Sequence, residues 1–366
     1  MAASDRLSQL KAFDDTKSGV KGLVDAGVAA VPPIFHHPPD PHHIAAGTIT
    51  TVPVVDLQDD DKQGLVAQIR AAAETVGFFQ VVNHGVPGDL LAETLASVRR
   101  FNEQPAEARR PYFTRDPARR VRYNSFQSPA ANWRDTLFLE APEEEVPPPC
   151  RAAVPEYARR VRGLGKRLLG LLSEALGLHA GYLPDYCCLG DDVSHGGPVM
   201  GCHYYPPCPE QSLTLGTTRH SDPCFLTVLL QDGVGGLQVL LDGEPGGGVR
   251  RYWADVPPVA GALVINVGDL LQLVSNDRFK SVEHRVVAPG RGGGGARVSV
   301  ACFFRTTGDA ASTRAYGPIA GVNPPPRYRN VTVKEFMGYY RDKGLDGTSA
   351  LARCRLPIPS SRLPMI

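Results

Sequence analysis

RHSDPCFLTVLLQDGVGGLQVLL, residues 219–241, is the stretch on which the reading of this chain turns. It holds two short apolar runs, Leu226 to Gln231 and Gly236 to Leu241, with glycines between them. Apolar runs of that length bounded by turn residues read as strands. The same texture returns at Leu263 to Val267, Leu270 to Ser275, Val282 to Val287 and Arg297 to Phe304. Strands repeating at intervals of roughly ten residues predict an antiparallel sandwich or barrel beginning near Gly196.

His220 and Asp222 stand at the head of that stretch. On a strand their spacing turns both side chains to one face and Ser221 to the other. A folded sandwich could bring His284, in a separate strand, opposite them. Two imidazoles and one carboxylate can hold one face of a ferrous ion and leave the opposite face for a co-substrate and dioxygen. A lone His-x-Asp is more often a turn or a surface pair. Here a second histidine follows, and then Arg297 and Ser299. Zinc in the same triad is the nearest rival, but a zinc hydrolase needs a base and the chain has no His-Glu-x-x-His pattern. Arg297 and Ser299 share a strand face, where a guanidinium fork and a hydroxyl can clamp a carboxylate. Alone such a pair means nothing; its value lies in its place after His284.

Upstream, a helix is expected from about Leu7 to Asp25, then a Pro- and His-rich linker from Pro32 to Gly47. Strand Thr51–Leu57, helix Asp59–Val76, strand Gly77–Val82 and helix Pro87–Asn102 suggest a small α/β lobe. A long helix from about Pro155 to Leu178 follows, and Thr332-x-x-Glu335 is a capping box for a last helix. The expected division is therefore 1–50 helix and linker, 51–155 α/β region, 156–196 connecting helix, 197–310 β core and 311–366 C-terminal helical segment.

Basic and acidic residues number 39 and 38, so no field favours nucleic acid or an anionic membrane, and a small-molecule substrate is expected. Met1 to Lys11 lacks an apolar run, and nothing approaches the length of a membrane span. The eight cysteines include no Cys-x-x-Cys pair and read as reduced thiols. A cytoplasmic monomer is expected.

VPVVDL (52–57), GFFQVVNHGV (77–86), YYPPCP (204–209), RHSDP (219–223), GALVINVGDLLQLVSNDRFKSVEHRVV (261–287) and ARVSVACFF (296–304) resemble the plant 2-oxoglutarate- and Fe(II)-dependent dioxygenases. FDDTKSGVKGLVDAGVAAVPPIFHHPP (13–39) and ANWRDTLF (131–138) look like the branch of aminocyclopropane-carboxylate oxidase homologues, which includes grass dioxygenases of benzoxazinoid glucosides. True aminocyclopropane-carboxylate oxidases lack this long N-terminal segment, which disfavours ethylene formation. The resemblance implies a distorted double-stranded β-helix, or jelly roll, with flanking helices and an N-terminal α/β lobe. It implies His220, Asp222 and His284 as Fe(II) ligands, Arg297 and Ser299 as the 2-oxoglutarate anchor, and Tyr205 as a hydrogen-bond partner of its carboxylate. Dioxygen is the oxidant, ascorbate the expected reductant, and succinate and carbon dioxide the by-products.

The implied reaction is hydroxylation of a plant specialised metabolite, such as an aromatic or glycosylated heterocycle. An oxidase or demethylase on the same platform is the alternative among enzymes. A non-catalytic ligand-binding descendant is the alternative outside them, and the intact triad and Arg297 speak against it. Phe303, Phe126, Trp133 and Phe138 are candidate pocket walls, though core packing explains the last three equally well. His203 replaces the family's usual Asn and adds a group that titrates near neutrality. Cys224 replaces a usual glycine and reads as a small buried hydrophobe. The histidines at 36, 37, 42 and 43 read as linker residues, and His84 as structural.

Overall fold

The computed structural model describes residues 3–38, 40, 52–125, 131–140, 145–187, 196–243, 250–292, 294–308, 310–344 and 348–357. Its strands are β1 (Val54–Asp56), β2 (Phe78–Val82), β3 (Val121–Asn124), β4 (Asp135–Leu139), β5 (Gly196–Tyr205), β6 (Leu215–His220) and β7 (Leu226–Gln231). They continue as β8 (Leu237–Gly243), β9 (Arg250–Asp255), β10 (Leu263–Val267), β11 (His284–Val287), β12 (Arg297–Thr306), β13 (Ala315–Tyr316) and β14 (Val331–Thr332). One sheet has eight strands in the order β1-β2-β10-β7-β12-β5-β4-β3, and a second has four in the order β6-β11-β8-β9. Only β1 with β2 is parallel among these pairings.

Side chains alternate along each strand, and here the two faces have different work. On β12, Val298, Val300, Cys302 and Phe304 join a large core shared with Val161, Leu168 and Leu172 of the long helix Val154–Ala175. The other face of the sheet sends Phe78, Tyr205, Leu229 and Val264 against Leu237, Val239, Leu241, Tyr252 and Val286 of the smaller sheet. Two sheets meeting through inner faces while helices cover the outside is the expected antiparallel sandwich with flanking helices.

Several elements depart from expectation. Leu270 to Ser275 is not a strand; Asp269–Val274 is a short helix. Leu270, Leu271, Leu273 and Val274 are all fully buried, Gln272 alone breaks the apolar run before Ser275, and a short apolar run cannot tell strand from helix. The helix expected over Leu7 to Asp25 is two helices, Ala3–Asp15 and Gly19–Asp25. Lys17 and Gly19 take positive φ between them, and the Asp135 carboxylate accepts the Val20 and Lys21 backbone N–H groups, both at 2.8 Å. A side chain over a hundred residues away thus starts the second helix. Apolar periodicity does not reveal strands β3, β4, β5 and β6, because their inner faces carry polar residues such as Arg122, Thr136, His203 and Thr217. The capping box forms as expected: Thr332 Oγ1 accepts from Glu335 N–H at 3.1 Å and opens the helix Val333–Lys343.

Candidate active site

His220 closes β6 and His284 opens β11, and the two are directly paired across the small sheet. Their ring centroids lie 4.2 Å apart. Each Nδ1 faces a backbone carbonyl, Thr218 at 2.8 Å and Val282 at 3.2 Å. A carbonyl only accepts, so this contact assigns the proton to Nδ1 and leaves the Nε2 lone pair free. Both Nε2 atoms lie 3.6 Å from Asp222 Oδ1. The other carboxylate oxygen, Oδ2, accepts from Thr227 Oγ1 at 2.6 Å and Asn266 Nδ2 at 2.8 Å. One oxygen is therefore tethered and the other turned to the imidazoles.

β6 ends before Asp222, so the turn rather than the pleat places this residue. Asp269 N–H donates to the Asp222 carbonyl at 2.7 Å, while Ser221 turns away and its hydroxyl donates to the Asp269 carboxylate at 3.1 Å. Gly268 allows this close approach, since a Cβ there would run into the Cys224 carbonyl. Burial alone would raise the Asp222 pKa, but His284, His220 and the Asn266 amide overcome it and hold the carboxyl well below its usual range. Burial pushes the His284 pKa down to about 4, with His220 adding repulsion. A carboxylate beside an imidazole held neutral is the protonation state a divalent metal takes. The three donor atoms lie within 4.8 Å of one another, with an open cavity beside them, so the residues fit a three-ligand iron site.

Arg297 is 1% exposed. Its Nε donates to the Gly235 carbonyl at 2.6 Å, Nη1 to Ser299 Oγ at 2.9 Å and Nη2 to Gln231 Oε1 at 3.1 Å. The guanidinium lies over the Tyr205 ring at 4.9 Å. Tyr205 Oη is 3.1 Å from Thr217 Oγ1, which accepts from Arg134 Nη1 at 2.8 Å. Sequence reasoning missed Arg134, a second buried cation beside this tyrosine; its signal lay in ANWRDTLF, between two outward-facing residues. Burial would raise the Tyr205 pKa, yet Arg134 and Arg297 bring it below its ordinary value. Arg134 Nε and Gln231 Nε2 are buried without an acceptor. Donors exceed acceptors here, which suits a carboxylate.

These groups face one cavity of about 540 Å³. His203, Cys224, Phe138 and Phe303 line it. Trp133 does not, which corrects its candidacy: it is fully buried against Phe35 (centroids 5.2 Å apart) and donates to the Pro206 carbonyl at 3.1 Å. Phe126 lies outside the described residues, as do His42 and His43. His203 contacts Thr136 Oγ1 at 3.1 Å, and burial followed by Arg134 and Arg297 drives its pKa well below the ordinary value. The expectation of titration near neutrality is thus overturned. Cys224 is fully buried against Thr227, with its pKa raised by burial. His84 bonds the Gly261 carbonyl at 2.9 Å in a structural role. Sequence reasoning also missed Arg122, Glu140 and Arg305, and Met337, Tyr340 and Arg341 of the C-terminal helix, all on the cavity wall.

Known proteins agree with this geometry. Residues 196–306 match the 2OG-Fe(II) oxygenase superfamily, and residues 52–158 match the family described as non-haem dioxygenase in morphine synthesis N-terminal. 1-Aminocyclopropane-1-carboxylate oxidase homolog 1 of Arabidopsis thaliana is 48% identical over 96% of this chain and 97% of its own length. The homolog from Solanum lycopersicum is 46% identical over 96% and 97%. Among solved structures, JOX2 in complex with 2OG, Fe and JA is 29% identical, with a TM-score of 0.77 over 93% of this chain and 98% of that one. The rice dioxygenase for auxin oxidation is 27% identical, with a TM-score of 0.64 over 83% and 100%. This family uses Fe(II) and 2-oxoglutarate, and the fold is its double-stranded β-helix. The chain belongs to the 2OG-Fe(II) oxygenase superfamily and is a dioxygenase.

Proposed function

We propose that this dioxygenase hydroxylates a small plant specialised metabolite with an aromatic or similarly flat body. His220, Asp222 and His284 hold Fe(II), and Arg297, Ser299 and Tyr205 hold 2-oxoglutarate. The observation that carries the reading is the meeting of two neutral-imidazole donors, one carboxylate and the buried Arg297–Ser299 pair on a single cavity. Iron with 2-oxoglutarate supplies, when bound, the oxidation of a C–H bond by dioxygen with release of succinate and carbon dioxide.

The chain's own residues bind and orient. Thr227 and Asn266 stop the Asp222 carboxylate from turning, and the two backbone carbonyls hold the imidazoles in one tautomer. Gln231 and the Gly235 carbonyl fix the Arg297 fork, so little freedom is lost when a carboxylate arrives. The cavity volume suits a small organic molecule, and Phe138 and Phe303 offer flat walls that exclude water.

Succinate release from 2-oxoglutarate with Fe(II), ascorbate and a panel of small aromatics tests the assignment. Turnover above the substrate-free rate is expected with at least one member, and no turnover by an iron-loaded protein counts against it. Arg297→Ala should raise the KM for 2-oxoglutarate by about 10- to 100-fold, the loss of one or two charge-assisted hydrogen bonds. An unchanged KM would remove Arg297 from the anchor.

A further inference from the structure

The odd-numbered residues of β12, Arg297, Ser299, Ala301, Phe303 and Arg305, all line the cavity. At about 3.4 Å per residue, Arg305 lies roughly 27 Å of strand beyond Arg297, out of reach of a co-substrate anchored there. Around Arg305 the cavity wall carries a second cluster of charged side chains. Arg305 Nη2 meets Glu140 Oε1 at 3.4 Å, and the same oxygen accepts from Arg122 Nη2 at 2.8 Å. Arg341 lines the same cavity from the last turn of the helix Val333–Lys343 and is within electrostatic reach of Arg305. It has no ion-pair partner among the described residues. Arg115 also lines the cavity, but Asp14 neutralises it.

Two guanidiniums therefore share one carboxylate, and a third, Arg341, has no acid of its own among the described residues. Glu140 and Asp222 are the carboxylates on the wall among the described residues, and Asp222 is committed to the histidines. The side chains of Arg305 and Arg122 are only 20% and 15% exposed, so water cannot fully compensate them. Leaving a partly buried cation without its own counter-charge costs free energy, and burial lowers the Arg305 pKa even beside Glu140. A planar guanidinium is also the group best shaped to grip a carboxylate.

We propose that the substrate is a carboxylic acid. Its carboxylate is bound by Arg305 and Arg341, and its carbon skeleton lies along Phe138 and Phe303 towards the triad. The proposal rests on the reading of this cavity as a dioxygenase substrate site and adds the charge of what enters it. A wall in which Glu140 alone satisfies Arg122 and Arg305 is the competing account, and it predicts no preference for an anion.

Calorimetry on the full chain loaded with Mn(II) and 2-oxoglutarate separates the two. The probes are phenylacetate, cinnamate and naphthylacetate, each against its carboxamide. The acids should bind about tenfold or more tighter than the amides, a gap that Arg305→Gln narrows to within about twofold. Arg341 is exposed, so Arg341→Gln should fold whatever happens at position 305, and it should narrow the gap by about threefold. Acid and amide within twofold of each other in the wild type, including binding of neither, overturns the proposal. So does a full gap retained in both variants. Binding of 2-oxoglutarate itself is titrated first, and its absence in the wild type would refute the dioxygenase site and the acid seat together.

Discussion

At His284, burial and the neighbouring His220 ring push the pKa to about 4, whereas an unfolded histidine titrates near 6.5. The sign follows from which state takes the proton first. Above about pH 6.5 neither form is protonated and the residue has no pH-dependent effect. As the pH falls towards 4 the unfolded chain gains a proton that the folded metal-free protein refuses, so stability drops by up to roughly 3 kcal/mol. Urea midpoints of the metal-free protein between pH 7.5 and 4.5 should fall more steeply for the wild type than for His284→Gln; parallel curves would refute it. The triad, Arg297 and Ser299 were legible because their spacing and residue types are rare in combination. Arg134, Arg122 and Arg305 were not, since a charged residue in or just before a strand looks the same in sequence whether it faces solvent or a cavity. Trp133 failed for the converse reason, because a large aromatic fills a core as readily as a pocket wall.

Apolar-rich strands were legible even where one face borders the cavity, as in β7, β10 and β12. β7 and β10 match their expected limits, Leu226–Gln231 and Leu263–Val267. β5 escaped notice because its inward residues include His203 and Tyr205, which break the apolar alternation. The short helix Asp269–Val274 shows how tightly such neighbours are fitted. At Gly268, just before it, a methyl group would meet backbone on both sides, the Cys224 and Asp222 carbonyls, and backbone cannot swing aside as a side chain does. Gly268→Ala should therefore cost about 1–3 kcal/mol and also weaken Mn(II) binding, because the segment that shifts carries Asp222. Denaturation midpoints and metal titration read the two effects, and a stable variant with unaltered metal affinity would count against this account of the turn.

Across the molecule, the expectation of reduced thiols matches seven described cysteines that are all free and buried. Burial raises Cys150 and Cys302 to about 12 and Cys208 to about 11, so almost no thiolate exists at pH 8. These seven should resist iodoacetamide in the native protein and react in urea; rapid native labelling of any of them, located by mass spectrometry, would contradict the packing. No helix among the described residues is long and apolar enough to cross a membrane. The sequence resemblance identified the sandwich and its centre, while the role of the N-terminal helices came only with the structure. Between Asn132 and Phe138 the chain points Trp133 and Asp135 outward to those helices, and Arg134 and Phe138 inward to the cavity. The N-terminal helices and the substrate chamber are thus opposite sides of one ribbon. A trimmed protein that kept every metal ligand would still lose the brace behind its chamber wall, and grafting a relative's N-terminal helices would re-tune which molecules the chamber accepts.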